Sequence, residues 1–375
     1  MKIALDARWI FEKSSGIGQH TRLLLKSFHA LKSDHEFLIL FDDEERAKAI
    51  QSEIGFDWDV QVVPYGLFSL QNQLHLQRYL VNRDIEVYHS TNYMMPLVGF
   101  PRHRSGKVKA VITIHDLIPM VYRDHAPKSK KSRIYPIYSS LMKQVAARAD
   151  RIITVSESSA RDVQERLGLN DRGSGKVNVV YNGLDPVFHE RHSVPRQNPP
   201  EILYVGRLDP YKNVPQLVSA FAEARKNLPP GTRLRVIGPP DERYPEAMAI
   251  ARSQELFPYM DWEGHVSFET LVEAYRRATV VVLPSEYEGF GLPVAEAMAC
   301  GTPVICSNAS SLPEVAGDAA RTVPPGDLLA LAKTLEDVMQ NPKLQAEMTQ
   351  KGKQQAQRFQ GQTMAKETLA VYESL

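Results

Sequence analysis

Short runs of β-branched and other apolar residues alternate along this chain with longer stretches whose apolar positions recur at helical spacing. The runs of the front half are KIALDA, EFLILF, VQVVPY, IEVYHS, AVITIHD, RIITVS and VNVVYNG. Such runs predict strands, and the amphipathic stretches between them predict helices. A second series follows the proline-rich polar stretch SVPRQNPP at 193–200: EILYVG, LRVIG, TVVVLPS and TPVICSN, each succeeded by a helix-like segment. A run as apolar as TVVVLP predicts a strand buried on both faces, the habit of a parallel sheet covered by helices. The expected fold is α/β: two Rossmann-like lobes with a cleft between them, joined at the proline-rich stretch, with ligands beyond the carboxyl ends of the strands.

Length agrees with that division, because 375 residues exceed the ~250–300 at which single cores stop growing. Apolar residues make up 43% and charged residues 24%, the balance of a soluble globular protein. No segment reaches the ~18 unbroken apolar residues of a membrane span, and MKIALDARWIF enters a strand pattern with no secretory signature. Cys300 and Cys306 are too few for a disulfide framework and lack metal-ligand spacing with histidine. The expected location is a reducing cytoplasm. Net charge is +1, but residues 1–195 hold 27 Lys/Arg against 22 Asp/Glu and the remainder 18 against 22. Two basic runs dominate the front, Arg102, Arg104, Lys107, Lys109 and then Arg123, Lys128, Lys130, Lys131, Arg133. They are either a solvated surface or an attraction for anionic membrane or phosphate, here the inner leaflet. No nucleic-acid partner is expected.

Candidate chemistry gathers where strands end. After TVVVLPS come Glu286, Tyr287, Glu288, then Gly289-Phe290-Gly291, then Leu292-Pro293 opening a helix of small residues. Proline fits a first helical turn, glycines let backbone approach a ligand, and unpaired N–H groups at a helix start suit a diphosphate. Glu288 and Glu296 are expected to flank that pocket at different depths, Glu288 accepting sugar hydroxyls and Glu296 ribose hydroxyls. After EILYV comes Gly206-Arg207-Leu208-Asp209-Pro210-Tyr211-Lys212-Asn213. Arg207 and Lys212 would offset the charge that grows on a departing diphosphate. Gly16 and Gly18, after the first strand and before a helix read from GQHTRLLLKSF, form either a plain tight turn or a loop that closes over the diphosphate.

Together these segments resemble the family-4 retaining glycosyltransferases of the GT-B fold, over nearly the whole chain. The stretch EGFGLPVAEAMACGTPV, Glu288 to Val304, looks like that family's E-x7-E block, joined by GRLDPYKN at 206–213 and SLPEVAGDAA at 311–320. The resemblance implies an amino-terminal acceptor-binding domain over 1–195 with a returning helix at 359–375, and a nucleotide-sugar domain over 196–358. It implies that Arg207 and Lys212 bind the donor diphosphate, Glu296 the ribose and Glu288 the sugar. The loop Gly264-His265-Val266 would hold the base, and Thr113-Ile114-His115-Asp116-Leu117 resembles the family's strand-end histidine segment. The opening DARWIFEKSSGIGQHTRLLL and HDLIP look most like mannosyltransferases that build bacterial surface polysaccharides, lipopolysaccharide among them, from GDP-mannose. Asp116 and Asn92 are candidates for acceptor contact.

No carboxylate is placed as an evident nucleophile, so the expected chemistry is front-face retaining transfer to a hydroxyl of a glycan or lipid-linked acceptor. No D-x-D cluster suggests Mg²⁺, Asp42-Asp43 reads as solvated, and neither metal nor cofactor is expected. A nucleotide-sugar 2-epimerase of the same architecture stays the alternative. A dinucleotide oxidoreductase is disfavoured, since SSGIGQH lacks the G-x-G-x-x-G spacing and no acidic residue clearly ends the second strand.

Overall fold

The computed structural model describes residues 1–11, 15–101, 106–122, 135–169, 175–191 and 194–375. Two compact units emerge. The first comprises Met1–Met120, Gln360–Leu375 and, among the described residues, 135–183; the second is Leu184–Phe359 with Val121 and Tyr122. The division thus falls at Gly183 and Leu184, ahead of the expected boundary at 195, and the proline-rich stretch belongs to the second unit. Its anchoring explains the difference. The Arg196 guanidinium donates to the carbonyls of Ala278 and Gly301 at 2.7 and 2.6 Å and to Thr302 Oγ1 at 2.9 Å. Gln197 N–H donates to the Arg277 carbonyl. A segment so held is part of a unit, whatever its proline content.

In the first unit the described strands are parallel: β1 (Lys2–Asp6), β2 (Glu36–Phe41), β3 (Asp59–Val62), β4 (Val87–Ser90), β5 (Lys109–Ile114), β6 (Arg151–Thr154) and β7 (Val177–Val179). Their order is β3-β2-β1-β4-β5-β6-β7, so each apolar run of the front half forms a strand. Ile3 and Leu5 of β1 pack with Leu24, Leu25 and Phe28 of helix α1 (Gly16–Leu31). Met364, Ala365 and Tyr372 of the closing helix Gly361–Glu373 enter the same core. One expectation is corrected: β2 ends at Phe41 and Asp42 follows directly. Asp42 accepts from Arg46 at 2.8 Å, and Asp43 caps the next helix by accepting Arg46 N–H at 2.8 Å. Both carboxylates serve local structure.

The second unit holds β8 (Glu201–Val205), β9 (Arg233–Ile237), β10 (Met260–Glu263), β11 (Val280–Leu283), β12 (Val304–Ser307) and β13 (Arg321–Val323), parallel, in the order β10-β9-β8-β11-β12-β13. β10 and β13 escape the apolar pattern because they are edges with one neighbour each. β10 reads MDWE, and Asp261 and Glu263 reach across to Arg233 and Arg235 of β9 at 2.6 and 2.9 Å. The ends of β8 and β9 meet closely: a Cβ on Gly238 would lie 2.0 Å from the Gly206 carbonyl oxygen.

At the carboxyl end of β1 the side chains of Asp6 and Arg8 are both fully buried. Arg8 donates Nε and Nη2 to the carboxylate at 2.8 and 2.7 Å, Nη1 donates to Asn72 Oδ1 at 3.1 Å, and Tyr88 donates to Asp6 Oδ2 at 2.6 Å. Removing one partner strands the other charge in a dry site, so Asp6→Ala should lower stability by about 3–5 kcal/mol. Chemical denaturation followed by circular dichroism checks this, and a loss under about 1 kcal/mol contradicts it.

Candidate active site

The strand order of the second unit reverses between β8 and β11, which opens a crevice beyond their carboxyl ends. The loops leaving those two strands carry the expected cations and Glu288. Glu286 N–H donates to the Tyr211 carbonyl at 2.8 Å and fastens one loop to the other. Lys212 Nζ then donates to both oxygens of Glu288, at 2.6 and 2.7 Å, and Ser285 Oγ donates to Oε1 at 2.7 Å. The Lys212 and Glu288 side chains are 15% and 9% exposed. Ser310 and Ser311 fix the Glu288 backbone, Ser310 Oγ accepting its N–H at 3.2 Å and Ser311 Oγ donating to its carbonyl at 2.9 Å. Arg207 pairs with buried Asp209 at 2.9 Å but stays 63% exposed, so its guanidinium keeps donor capacity for a ligand.

Gly291 has φ +98° and precedes helix α2 (Leu292–Ala299), with Pro293 in the first turn and no side-chain cap. Its missing Cβ matters sterically too, since it would stand 2.6 Å from Leu312 Cδ2. Gly289 and Gly291 therefore bracket the turn that delivers the helix start, where first-turn N–H groups favour an anion. Phe290 can meet a ligand only through its backbone. Its ring is buried and meets Phe359 edge-on at 5.2 Å.

Glu296 lies on α2, part-buried, and its Oε2 accepts the Tyr275 hydroxyl at 2.7 Å. Burial pushes its carboxyl up to about 7, while the Tyr275 hydroxyl acts in the lowering sense. The two glutamates thus have different surroundings: Glu288 faces a cation and Glu296 a phenol. Val266, in the loop after β10, is part-buried beside exposed Gly264 and His265.

In the first unit the order reverses between β1 and β4. Gly16 and Gly18 are not a loop ahead of the helix, as the spacing suggested: they lie in the first turn of α1, capped by Ser15, whose Oγ accepts Gly18 N–H at 3.1 Å. Absence of side chains still keeps that turn open, for a Cβ on Gly16 would meet nothing within 4 Å. His115 follows β5, and its Nε2 donates to the Thr91 carbonyl at 2.9 Å. A carbonyl only accepts, so Nε2 carries the proton and the neutral ring presents Nδ1 as an acceptor. Burial lowers the His115 pKa. His20 stands edge-on to that ring at 4.8 Å and lies 2.8 Å from Asn182 Oδ1. Burial depresses His20 strongly and His89 to about 3. This cluster is neutral at pH 7.

Asp116 Oδ1 accepts Ile118 N–H at 3.0 Å, and the side chain is part-buried. Asn92 is 4% exposed and closes its own turn by accepting Tyr93 N–H at 2.8 Å, which leaves little of it to meet an acceptor. Lys109 pairs with Asp150 at 3.6 Å and Lys107 is exposed. Arg102, Arg104, Arg123, Lys128, Lys130, Lys131 and Arg133 lie outside the described residues. Sequence reading missed Ser285, Asp209, Tyr275 and His20. Ser285, Asp209 and His20 stood in segments already singled out, but no role attached to them.

Comparison with known proteins bears on both units. Residues 188–355 match the profile of glycosyl transferases group 1, and residues 14–188 that of glycosyltransferase family 4. The chain is 29% identical over 77% of its length to O-antigen chain mannosyltransferase B of Escherichia coli, covering 74% of that protein. It is 31% identical over 68% of its length to glycogen synthase of Mycobacterium tuberculosis, covering 63% of that protein, less than two thirds. Among solved structures, the sucrose-phosphate synthase of Thermosynechococcus elongatus superposes with a TM-score of 0.77 at 20% identity, over 100% of this chain and 98% of that one. Anabaena HepE in complex with UDP gives 0.73 at 18%, over 100% of both. At these identities the structures speak to fold.

A carboxyl raised by folding to about 7 favours the native state while neutral. That stability is fully present below the unfolded value of ~4.3 and is lost as pH rises towards 7. Glu296→Gln removes the penalty. The melting temperature of the variant minus that of the wild type should therefore rise between pH 4.5 and 7 and then level. A pH-independent difference contradicts the buried assignment.

Proposed function

Since the chain belongs to the GT-B glycosyltransferases that pair a family 4 amino-terminal domain with a group 1 carboxy-terminal domain, we propose that it moves a hexosyl group from a nucleoside-diphosphate sugar to an acceptor hydroxyl with retention. The observation that carries this reading is the Lys212–Glu288 pair at the β8/β11 switch, with Arg207 on the same loop as the lysine and an uncapped helix start on the same loop as the glutamate. Cations and helix amides suit a diphosphate; carboxylates suit hydroxyls. GDP-mannose is the donor we favour, because relatives of the chain carry the name mannosyltransferase. The acceptor is a glycan or a lipid-linked glycan of the cell surface, with the chain working in the cytoplasm.

Departure of the diphosphate leaves positive charge on the sugar ring and negative charge on phosphate. Arg207, Lys212 and the amides of α2 offset the second, so transfer proceeds without a metal ion. The acceptor oxygen bonds to the anomeric carbon on the face from which the phosphate oxygen leaves, and the acceptor proton passes to that phosphate. His115, neutral with Nδ1 bare, accepts a sugar hydroxyl and need not act as a base.

Contact with an anionic inner membrane is part of the proposal. No described helix is long and apolar enough to cross a bilayer. The first unit instead exposes Phe68, Leu70 and Leu74 at 60%, 72% and 53%. Between Asp59 and Asp84 the chain has no acidic residue, and the span 60–149 holds 13 Lys/Arg against four Asp/Glu. Exposed apolar side chains and an excess of positive charge in the same stretch of sequence suit an anionic lipid surface.

Lys212→Ala and Arg207→Ala should each lower kcat roughly 10²–10³-fold with a smaller change in KM, because the lost contact strengthens in the transition state. Steady-state kinetics with GDP-mannose decides, and losses confined to KM contradict the role. Phe68→Ser with Leu74→Ser should reduce sedimentation with phosphatidylglycerol vesicles while sparing kcat on a soluble acceptor. Unchanged sedimentation contradicts the membrane contact.

A further inference from the structure

Tyr275 sits on the helix Phe268–Arg277 and is fully buried. A phenol so placed needs a partner for its hydroxyl, and it spends that one proton on Glu296 Oε2 at 2.7 Å. Its other contacts hold the ring still. Thr302 Oγ1 donates to its backbone carbonyl, and Phe188 meets the ring edge-on at 6.0 Å. The hydroxyl therefore comes from a fixed direction, and it pins one oxygen of the carboxylate and the plane of the whole group. Each carboxylate oxygen has two acceptor sites, so Oε1 stays free and Oε2 keeps one site for a ligand. That is the arrangement a vicinal diol requires, two donors on one rigid carboxylate.

We propose that Tyr275 is a positioning residue for nucleotide recognition, orienting Glu296 so that it accepts both ribose hydroxyls of the nucleoside diphosphate. The inference rests on the ribose role read for Glu296 and adds the group that makes it selective for a diol. Tyr275 touches the carboxylate, not the nucleotide. Other groups that interact electrostatically with this pair are Tyr204 and the Cys300 thiol, both shifted upward by burial and so uncharged at neutral pH. Arg276 and Arg196 in turn face Cys300.

Calorimetric titration of the full chain with GDP and with 2′,3′-dideoxy-GDP separates the possibilities. Wild type should prefer the diol. Tyr275→Phe should cut that preference roughly 10-fold, the scale of one hydrogen bond to a charged group, and leave affinity for the dideoxy nucleotide unchanged. A tyrosine that merely filled space would be replaced by phenylalanine with the diol preference unchanged, and that result overturns the proposal. Glu296→Gln distinguishes its failure from that of the underlying reading. If the glutamine variant keeps the full diol preference, the ribose role of Glu296 is wrong. If it loses the preference while Tyr275→Phe retains it, the ribose role stands and the inference about Tyr275 falls. Should Tyr275→Phe not fold, wild type titrated from pH 6 to 8.5 gives a second test. The diol preference should grow as pH rises through the carboxyl's ionisation, since hydroxyls donate best to the anion. A pH-independent preference contradicts a carboxylate held in that setting.

Discussion

A lysine and a glutamate largely buried against one another constrain this site more than any other contact. Lys212 and Glu288 come from loops leaving different strands and pair across them at 2.6 Å. Separating two largely buried ions is expensive, so the loops travel together, with the Tyr211–Glu286 backbone bond as a second tie. Only a ligand that offers both an anion for the lysine and hydroxyls for the carboxylate replaces what the pair gives each member. A nucleoside-diphosphate sugar carries both within one molecule.

Around that tie, backbone geometry leaves room. Gly238 lets the ends of β8 and β9 approach, and Gly291 turns the chain into α2 where a side chain would strike Leu312. In the first unit the logic is different. Its charged pair, Asp6–Arg8, is buried completely and braces the end of β1, while His20, His89 and His115 are kept neutral by burial. One unit thus offers fixed charge, the other uncharged acceptors and donors.

Most strands were legible in the sequence because their residues are largely apolar, and the front-half runs and the four back-half runs each form one. β10 and β13 were not, since an edge strand such as MDWE is satisfied by cross-strand ion pairs with Arg233 and Arg235. Arg207, Lys212 and Glu288 stood out through their place after a strand. Tyr275 could not, because an aromatic at helical spacing reads as core and its working part is a single hydroxyl. His20 was hidden because its partner Asn182 lies far away in sequence, and Ser285, only three residues before Glu288, because a lone serine at a strand end carries no signal of its own. The Phe290 ring packs against Phe359, so only its backbone, carried between two glycines, is placed to meet a ligand.

The most direct test of the nucleotide site is a crystal structure of the chain soaked with GDP. The diphosphate should lie against Lys212, Arg207 and the first turn of Leu292–Ala299, with the ribose on Glu296. A diphosphate seated away from the loops that follow β8 and β11, with Lys212 and Glu288 undisturbed, contradicts that placement.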